Sequence, residues 1–537
     1  MRTFTLCACA SLLAAGCSEP TPEAQPFDVL LISLDTVRAD ALTFVDPEAA
    51  PNLARLARSG TIFTQAVSGS SWTLPAHAQL FTGQPPSLHR VETDDVSIDE
   101  HTPTVPTVLR EHGWATQGYW TGWYLADAYG FARGFDTYAN AMSDGPLLMR
   151  RFDESLDEGT DAGWAVHAER ERKNHEDVTS EHVARMVGEG LAATPADQPA
   201  FVFAHMFDPH YDYVPPGEWA TKFDPGYTGT MDGRNFGHNP RVYNEQTGQR
   251  TISDRDLQHI TALYRGEIGW TDQSIGTLLR HFEEAGRLDN TLIIVTSDHG
   301  EEFFEHGNRG HKLTLFDEVV RVPLLVVLPK ALRGSQPLTV DAQVSLSDVM
   351  PTILEVTGLA QPASVFGRSL LPALQGHELE SRPAVSSLTL YMYPPGGGLQ
   401  VFQYDAVRFE DTKLMRQTLL APGQPARTPW VGFCDLGQDS TEKNWVGGAP
   451  ADFAQDPRFV SAWGRLEREL ERMREVYDSG THQAAAERTT DMAELVAVEL
   501  EGLGYTQGAN EGTEGAEAEP GKIAPWGLGV RPPTPLR

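Results

Sequence analysis

Three apolar stretches of this chain each end in a cluster of acidic and histidine residues. In chain order, Asp35 follows residues 27–34, Asp208 and His210 follow residues 200–207, and Asp298 and His299 follow residues 291–296. Near-continuous apolar runs are typical of parallel strands that are buried on both faces. The carboxyl ends of such strands meet at one edge of a sheet, where ligands bind in open α/β folds. The pattern therefore predicts a site at that edge.

Helical and strand-like segments alternate along the first two thirds of the chain. Helical spacing over residues 51–59 and 254–285 separates these runs from further apolar segments at 115–120 and 320–328. This alternation predicts an α/β fold with a large, mainly parallel sheet sandwiched by helices. Beyond residue 375, shorter strand patterns and an amphipathic helix predict a smaller α+β domain. The predicted units are a catalytic domain (27–374), a C-terminal α+β subdomain (375–506) and a disordered tail (507–537).

The composition restricts the class of ligand. The 537 residues carry a formal net charge of −32. A surface this acidic repels nucleic acid, because phosphate binding needs clustered Lys and Arg. A site for an anionic ester must therefore supply its own positive charge, and a metal ion is the expected source.

The first residues indicate export. An apolar run leads to LAAGC, residues 13–17, which resembles a bacterial lipobox. The resemblance implies a signal peptide (1–16), a lipidated Cys17 that anchors the chain to the membrane, and a short tether (17–26). The expected location is the periplasmic or outer-membrane side of a bacterium; a plain cleaved signal peptide is the alternative. Outside the predicted signal peptide and the lipidated Cys17, the chain has a single cysteine, Cys434, so no internal disulfide is expected.

A hydroxyl residue lies between the first two clusters. The segment SSWTLPAH, residues 70–77, places Thr73 just before a predicted helix and ends at His77. The carboxylates of Asp35 and Asp298 suit Mg, Ca or Mn, and the imidazole of His299 shifts the preference towards Mn or Zn. Together they predict one divalent metal ion with room for a nucleophile and a substrate.

These segments resemble the sulfatase family of the alkaline phosphatase superfamily. Residues 70–77 resemble its nucleophile signature, with Thr73 in the Cys or Ser position and His77 in the Arg position. The segments FDPH (207–210), SDHG (297–300) and GHK (310–312) resemble its later landmarks, and the resemblance covers residues 27–505.

The resemblance implies a role for each matching residue. Asp35, Thr73, Asp298 and His299 would bind the metal, and Thr73 would be the nucleophile. The substrate anion would contact the residues His77, His210, His311 and Lys312, and His210 would protonate the leaving oxygen.

The chain also departs from the family pattern. Thr36 replaces a second Asp, and a Lys-Trp-His segment is missing, because residues 121–124 read TGWY. Structural interpretations stay open for several residues: helix packing for His77, a core position for His205, a structural role for His306 and core packing for Trp72. A second metal held by residues such as Asp208, His210, His306 and His311 also stays open.

Thr73 favours a particular chemistry. Sulfatases of this type oxidise Cys or Ser to formylglycine, whereas the same oxidation of Thr would give a ketone, so no formylglycine is expected. A metal-activated Thr hydroxyl can attack directly. We therefore predict a metal-dependent ester hydrolase, with phosphate monoesters or diesters favoured over sulfate esters and a small-molecule, glycan or lipid-headgroup substrate. The alternatives are a sulfuric ester hydrolase acting without formylglycine and a catalytically silent lipoprotein that binds glycans or envelope polymers.

Overall fold

The computed structural model describes residues 26–44, 46–142, 179–234, 236, 242–244, 249–335, 337–392, 400–420, 428–476 and 486–487. The predicted signal peptide, nearly all of the tether and the C-terminal tail lie outside these residues. Among the described helices, none is both long enough and apolar enough to cross a membrane.

The strands and helices alternate as predicted over the first two thirds of the chain. The strands are β1 (Asp28–Leu34), β2 (Thr61–Val67), β3 (Val96–Ser97), β4 (Ala115–Trp120), β5 (Thr137–Asn140), β6 (Ala200–Met206), β7 (Tyr243–Asn244), β8 (Gln249–Arg250), β9 (Thr291–Ser297), β10 (Glu302–Phe303), β11 (Arg309–Gly310), β12 (Arg321–Val327), β13 (Leu338–Val340), β14 (Val344–Ser345), β15 (Ala384–Met392), β16 (Gln400–Phe409), β17 (Thr412–Leu420), β18 (Trp430–Asp435), β19 (Val446–Gly448) and β20 (Ala486–Glu487). The helices are α1 (Pro51–Ala57), α2 (Thr73–Thr82), α3 (Pro86–His89), α4 (Val105–Glu111), α5 (Thr179–Ala193), α6 (Trp219–Lys222), α7 (Asp254–Glu284), α8 (Asp317–Val320), α9 (Val349–Val356), α10 (Leu371–Leu374) and α11 (Pro457–Val476).

The large sheet has the order β13-β2-β12-β9-β1-β6-β4-β5, with β14 also paired to β2. Its centre is parallel: β1 pairs in parallel with both β6 and β9. Strand β12 is antiparallel to β2 and β9, so the sheet is mixed at that point. The predicted α/β class is confirmed, and β12 is the exception to its parallel strands. Because β1, β6 and β9 run side by side, their polar carboxyl ends meet at one edge.

The central strands separate two apolar layers. Alternate residues of β1 face opposite sides: Val29 and Leu31 pack in one core, and Leu30 and Ile32 pack in the other. This burial on both faces explains why the strand sequence is apolar throughout.

The C-terminal part has its own antiparallel sheet, β15 to β19 in sequential order. Helix α11 packs on it, and Phe459 and Leu466 join Val407 and Leu414 in a third buried core. The large sheet thus ends before residue 346 and the small sheet begins at Ala384, on either side of the predicted boundary.

Candidate active site

The predicted metal ligands meet at the carboxyl ends of β1 and β9. Asp35 directly follows β1, and Asp298 and His299 directly follow β9, its parallel neighbour. The His299 Nε2 atom lies 3.3 Å from Asp298 Oδ2 and 3.8 Å from Asp35 Oδ1, and all three side chains are fully buried. The fold therefore assembles the three-residue set that the sequence predicted.

The donor atoms of this set suit a cation. Within the described part of the chain, neither carboxylate oxygen of Asp35 has a hydrogen-bond partner, and neither does Asp298 Oδ2. Burial raises the pKa of Asp35 to about 7, because a charge removed from water without a counterion is unfavourable. His299 Nδ1 lies 2.9 Å from the Gly300 carbonyl, so it donates there and leaves the lone pair on Nε2 facing the carboxylates. Buried, unsatisfied carboxylates beside an imidazole lone pair fit a divalent metal ion.

Thr73 begins helix α2 beside this set. Its side-chain Oγ1 lies 3.4 Å from His299 Nε2, and the residue is 6% exposed. As the first residue of α2, Thr73 lies at the helix N-terminus, where the N–H groups of Thr73 and Leu74 have no partner within the helix, a position that favours an anion. The hydroxyl, the imidazole and the helix terminus thus face the same small volume.

His77 lies one turn below Thr73, in the interior. Its Nδ1 is 2.9 Å from the Thr73 carbonyl and its Nε2 is 2.9 Å from Ser33 Oγ. The side chain is fully buried, 3.6 Å from Asp298 Oδ2, and burial lowers its pKa to about 3. As a neutral imidazole, His77 joins the first turn of α2 to β1. Its predicted contact with the substrate stays a prediction.

Lys312 is held by aromatic and acidic side chains. Its Nζ lies 3.9 Å from the Trp72 ring centroid, 3.0 Å from Tyr124 Oη and 3.1 Å from Asp94 Oδ1. Its backbone has φ +65°, and its N–H donates to the Ser71 carbonyl. Burial lowers the pKa of Lys312. Trp72, interpreted from the sequence as core packing, is buried and also forms the surface on which the ammonium group lies.

His210 and His311 lie on the other side of His299. The His311 ring centroid is 4.5 Å from that of His299 and 4.9 Å from that of His210. His210 stacks on Phe207 and its Nδ1 lies 2.6 Å from the Tyr211 carbonyl, which directs Nε2 to the other side of the ring. The three imidazoles therefore form a contiguous row in the order His299, His311 and His210.

Glu301 contacts this row of imidazoles through His311. Its Oε1 lies 3.0 Å from His311 Nδ1, and its Oε2 accepts a hydrogen bond of 2.9 Å from the Tyr213 hydroxyl. Burial raises the pKa of Glu301 to about 8, while burial lowers that of His311 to about 3. The hydrogen bond between the two side chains orients His311.

Two residues from the open second-metal set have structural roles instead. Asp208 accepts hydrogen bonds from the backbone N–H groups of Thr179 and Ser180, which start helix α5. His306 pairs with Glu318 through Nδ1, as its structural interpretation predicted. These contacts give Asp208 and His306 structural roles, but His306 also lies with Glu302 and Glu318 in a group whose ligand atoms are within 4.8 Å of one another, so a second ion stays a prediction.

His205 differs from its interpretation as a core residue. The side chain is fully buried, but its Nε2 lies 3.1 Å from Asp35 Oδ2 at the site. Its location at the end of β6, beside β1, was visible in the strand pattern, but its side-chain direction was not.

Sequence reasoning also missed Asp94, Tyr124 and Glu301. The signal for Glu301 was its place two residues after His299, in the third polar cluster. Asp94 and Tyr124 lie in segments without a regular pattern, so nothing in the sequence placed them near Lys312.

A mixed α/β sheet with carboxylates, histidines and a hydroxyl at its edge is the architecture of the alkaline phosphatase superfamily of hydrolases. The sulfatase family profile matches residues 28–359, and the profile for the C-terminal region of N-sulphoglucosamine sulphohydrolase matches residues 305–448. The chain belongs to the sulfatase family.

Curated relatives agree with this assignment. Arylsulfatase K of Xenopus laevis is 24% identical over 341 residues, which cover 60% of this chain and 61% of that protein. The chain thus spans about three fifths of that relative. An ulvan-active sulfatase of Formosa agariphila is 25% identical over 427 residues, which cover 78% of this chain and 77% of that protein.

Solved structures share the fold. A phosphonate monoester hydrolase of Agrobacterium radiobacter superposes with a TM-score of 0.61 at 20% identity, covering 84% of this chain and 96% of its own. BT4656, solved in complex with its substrate D-glucosamine-2-N,6-O-disulfate, has a TM-score of 0.61 at 17% identity, covering 85% and 99%.

Proposed function

We propose that this protein is a metal-dependent ester hydrolase that uses the unmodified hydroxyl of Thr73 as its nucleophile. The observation that carries the proposal is the place of Thr73: its Oγ1 lies 3.4 Å from His299 Nε2, at the first residue of α2 and beside unpaired carboxylates. A hydroxyl in this position is oriented towards the same volume as the metal ligands. Asp35, Asp298 and His299 would hold the ion together with Thr73.

A bound divalent ion would supply Lewis-acid chemistry, lowering the pKa of a hydroxyl and stabilising developing negative charge. The protein residues supply position. Hydrogen bonding through His77 fixes the backbone carbonyl of Thr73, and the terminus of α2 offers N–H groups to the substrate oxygens. Lys312 stabilises the ester anion, because its ammonium group is held near the site by Trp72 and Tyr124.

The proposed reaction has two displacements at phosphorus. In the first, Thr73 Oγ1 forms a bond to phosphorus, its proton leaves to solvent, and the bond to the ester oxygen breaks. His210 in its protonated form donates a proton to that departing oxygen. In the second, water attacks the phosphothreonine, and the Thr73 hydroxyl is restored as phosphate or a phosphomonoester leaves.

A phosphoester substrate is favoured by the nucleophile. The Cβ of Thr73 carries a methyl group, so its oxidation would give a ketone and not the aldehyde of formylglycine. The similarity to phosphonate monoester hydrolases supports phosphorus chemistry on this fold. The glycan substrates of the sulfatase relatives support a glycan ester as the natural class, with small-molecule and lipid-headgroup esters as further candidates.

A panel of aryl esters tests the proposal. Purified protein with Mn²⁺ is assayed on aryl phosphate monoesters, aryl phosphate diesters and aryl sulfates, before and after treatment with a chelator. We expect hydrolysis of a phosphate ester that exceeds that of the sulfate and is lost on chelation. Preference for the sulfate would favour the second candidate, a sulfuric ester hydrolase, which the family profile supports. Hydrolysis that survives chelation would overturn the metal requirement.

A further inference from the structure

The proposed function does not use the side chain of His205, which lies at the site. His205 lies in β6, next to β1, and is fully buried. Its Nδ1 lies 3.0 Å from the Thr121 carbonyl, which accepts a hydrogen bond from it. A neutral imidazole that donates through Nδ1 carries its lone pair on Nε2. The lone pair of His205 therefore points into the site.

The atom opposite this lone pair is also an acceptor. His205 Nε2 lies 3.1 Å from Asp35 Oδ2, yet across the described residues neither atom has a hydrogen-bond partner. Two buried acceptors at this distance repel each other unless a positive charge lies between them or beside both. A cation that both atoms face removes the repulsion and satisfies both lone pairs.

Three pairs of site atoms have the spacing of ligands that share an ion, and Asp298 belongs both to the group with His77 and His205 and to the group with Asp35 and His299. Two ligand atoms about 2.1 Å from one ion and at right angles to each other lie about 3 Å apart. The distances here are 3.1 Å from His205 Nε2 to Asp35 Oδ2, 3.3 Å from His299 Nε2 to Asp298 Oδ2, and 3.4 Å from His299 Nε2 to Thr73 Oγ1. Ligand atoms of His205 and Asp298 also lie within 4.8 Å of each other.

We propose that His205 is a further ligand of the divalent ion at Asp35, which it binds through Nε2. His77, which belongs to the same cluster, does not share this role, because its Nδ1 contacts the Thr73 carbonyl and its Nε2 contacts Ser33 Oγ. The ion is then bound by the imidazoles of His205 and His299, and the carboxylate of Asp35 lies close to both. A nitrogen-rich ligand set selects Mn or Zn over Ca and Mg.

Pulsed electron paramagnetic resonance of the full-length protein loaded with Mn²⁺ alone tests the inference. We expect couplings from two imidazole nitrogens in the wild-type protein and from one in both His205→Gln and His205→Ala. We also expect His205→Ala to bind Mn²⁺ at least about tenfold more weakly, since even partners outside the ligand shell change metal affinity 10–100-fold. His89→Gln is the matched control, because His89 is a buried histidine of α3 bonded to the Val91 backbone.

The outcomes separate this inference from the function on which it rests. One imidazole nitrogen in the wild-type spectrum would overturn the role of His205 and leave the metal centre of the proposed function intact. Absence of Mn²⁺ binding would overturn both. The one-nitrogen result in the wild-type spectrum overturns the role of His205 even if both variants fail to fold, and the loss of one coupling in a folded variant assigns the second nitrogen to His205.

Discussion

Asp35 is the residue through which the proposed metal site would couple stability to function. Its carboxylate is fully buried without hydrogen-bond partners among the described residues, and burial raises its pKa to about 7. In the absence of metal, such a group destabilises the fold, because its charge has lost water without gaining a counterion. A divalent ion in the proposed site would supply that counterion and reverse this effect.

The first prediction is that Asp35→Asn leaves the stability of the metal-free protein unchanged or raises it, but lowers the stability of the protein with Mn²⁺. With chelator present, we expect the variant to unfold at the same temperature as the wild type or higher, because an amide is cheaper to bury than a carboxylate. With Mn²⁺ at about 100 times its Kd, the wild type gains about 2.7 kcal/mol, and the variant loses most of this gain. Thermal unfolding with and without Mn²⁺ measures both. Asp40→Asn, at an exposed carboxylate that pairs with Arg38, should keep the wild-type gain in stability from Mn²⁺, and an equal gain in Asp35→Asn would contradict the ligand assignment.

Among single residues, the sequence predicts a site residue only where an aspartate or histidine directly follows a predicted strand. Asp35, Asp298 and His299 could be predicted from the sequence because each follows a strand, which fixes its position. Asp94 contacts Lys312 from an irregular segment and Tyr124 from a single 3-10 turn, and the path of such segments depends on tertiary packing that no local pattern encodes. The direction of the His205 side chain depends on the pairing of β6 with β1, which is also non-local.

At the scale of elements, the segment after a strand holds both predicted catalytic residues and residues that cap a helix. The loop after β6 carries His210, and Asp208 in the same loop accepts hydrogen bonds from the first N–H groups of α5. The cap therefore fixes the segment that places His210. This explains why an acidic residue that precedes a predicted catalytic histidine need not be a ligand itself.

The second prediction concerns this cap. Asp208→Ala should lower the free energy of unfolding by about 1–2 kcal/mol, the usual cost of losing a helix cap, while Mn²⁺ affinity stays at the wild-type value. Chemical denaturation and Mn²⁺ titration measure the two effects. Ser253→Ala, which removes the side-chain cap of α7 away from the site, is the matched control for stability. Loss of bound Mn²⁺ in Asp208→Ala would show that Asp208 is a ligand after all.

Several elements followed from periodicity alone, while others did not. The strand at residues 115–120 and the long helix near 254–285 match the observed β4 and α7 closely, because long or uniformly apolar patterns are distinctive. The antiparallel direction of β12 was not predicted, because a strand pattern reads the same in either direction and the pairing partner sets the orientation.

At the scale of the whole molecule, His306 connects the two domains near the site. Its Nδ1 pairs with Glu318 in α8, and its Nε2 donates to the Glu442 carbonyl of the C-terminal part. Burial opposes the charge of His306, but Glu318 outweighs this and raises the pKa of the imidazole. The backbone of Glu318 in turn accepts a hydrogen bond from Glu301, next to the histidine row.

The third prediction is a pH-dependent loss of stability in His306→Gln. Because the folded-state pKa lies above the unfolded one, the ion pair stabilises the protein fully below about pH 6.5, and this stability is lost as pH rises through the folded-state pKa. We expect the variant to lose roughly 1.5–3 kcal/mol at about pH 6 and less at high pH. Denaturation at several pH values measures the difference, for which His101→Gln, an exposed histidine, is the control. A difference that does not depend on pH would contradict the charged pair.

The most direct test of the account is the catalytic efficiency of Thr73→Ala on the best aryl ester of the panel. We predict that kcat/KM falls about 10³-fold or more, as when other hydroxyl nucleophiles are removed, while Mn²⁺ still binds. Ser71→Ala, a neighbouring buried hydroxyl, should remain close to the wild type. A Thr73→Ala variant whose kcat/KM stays within about tenfold of the wild type would contradict Thr73 as the nucleophile.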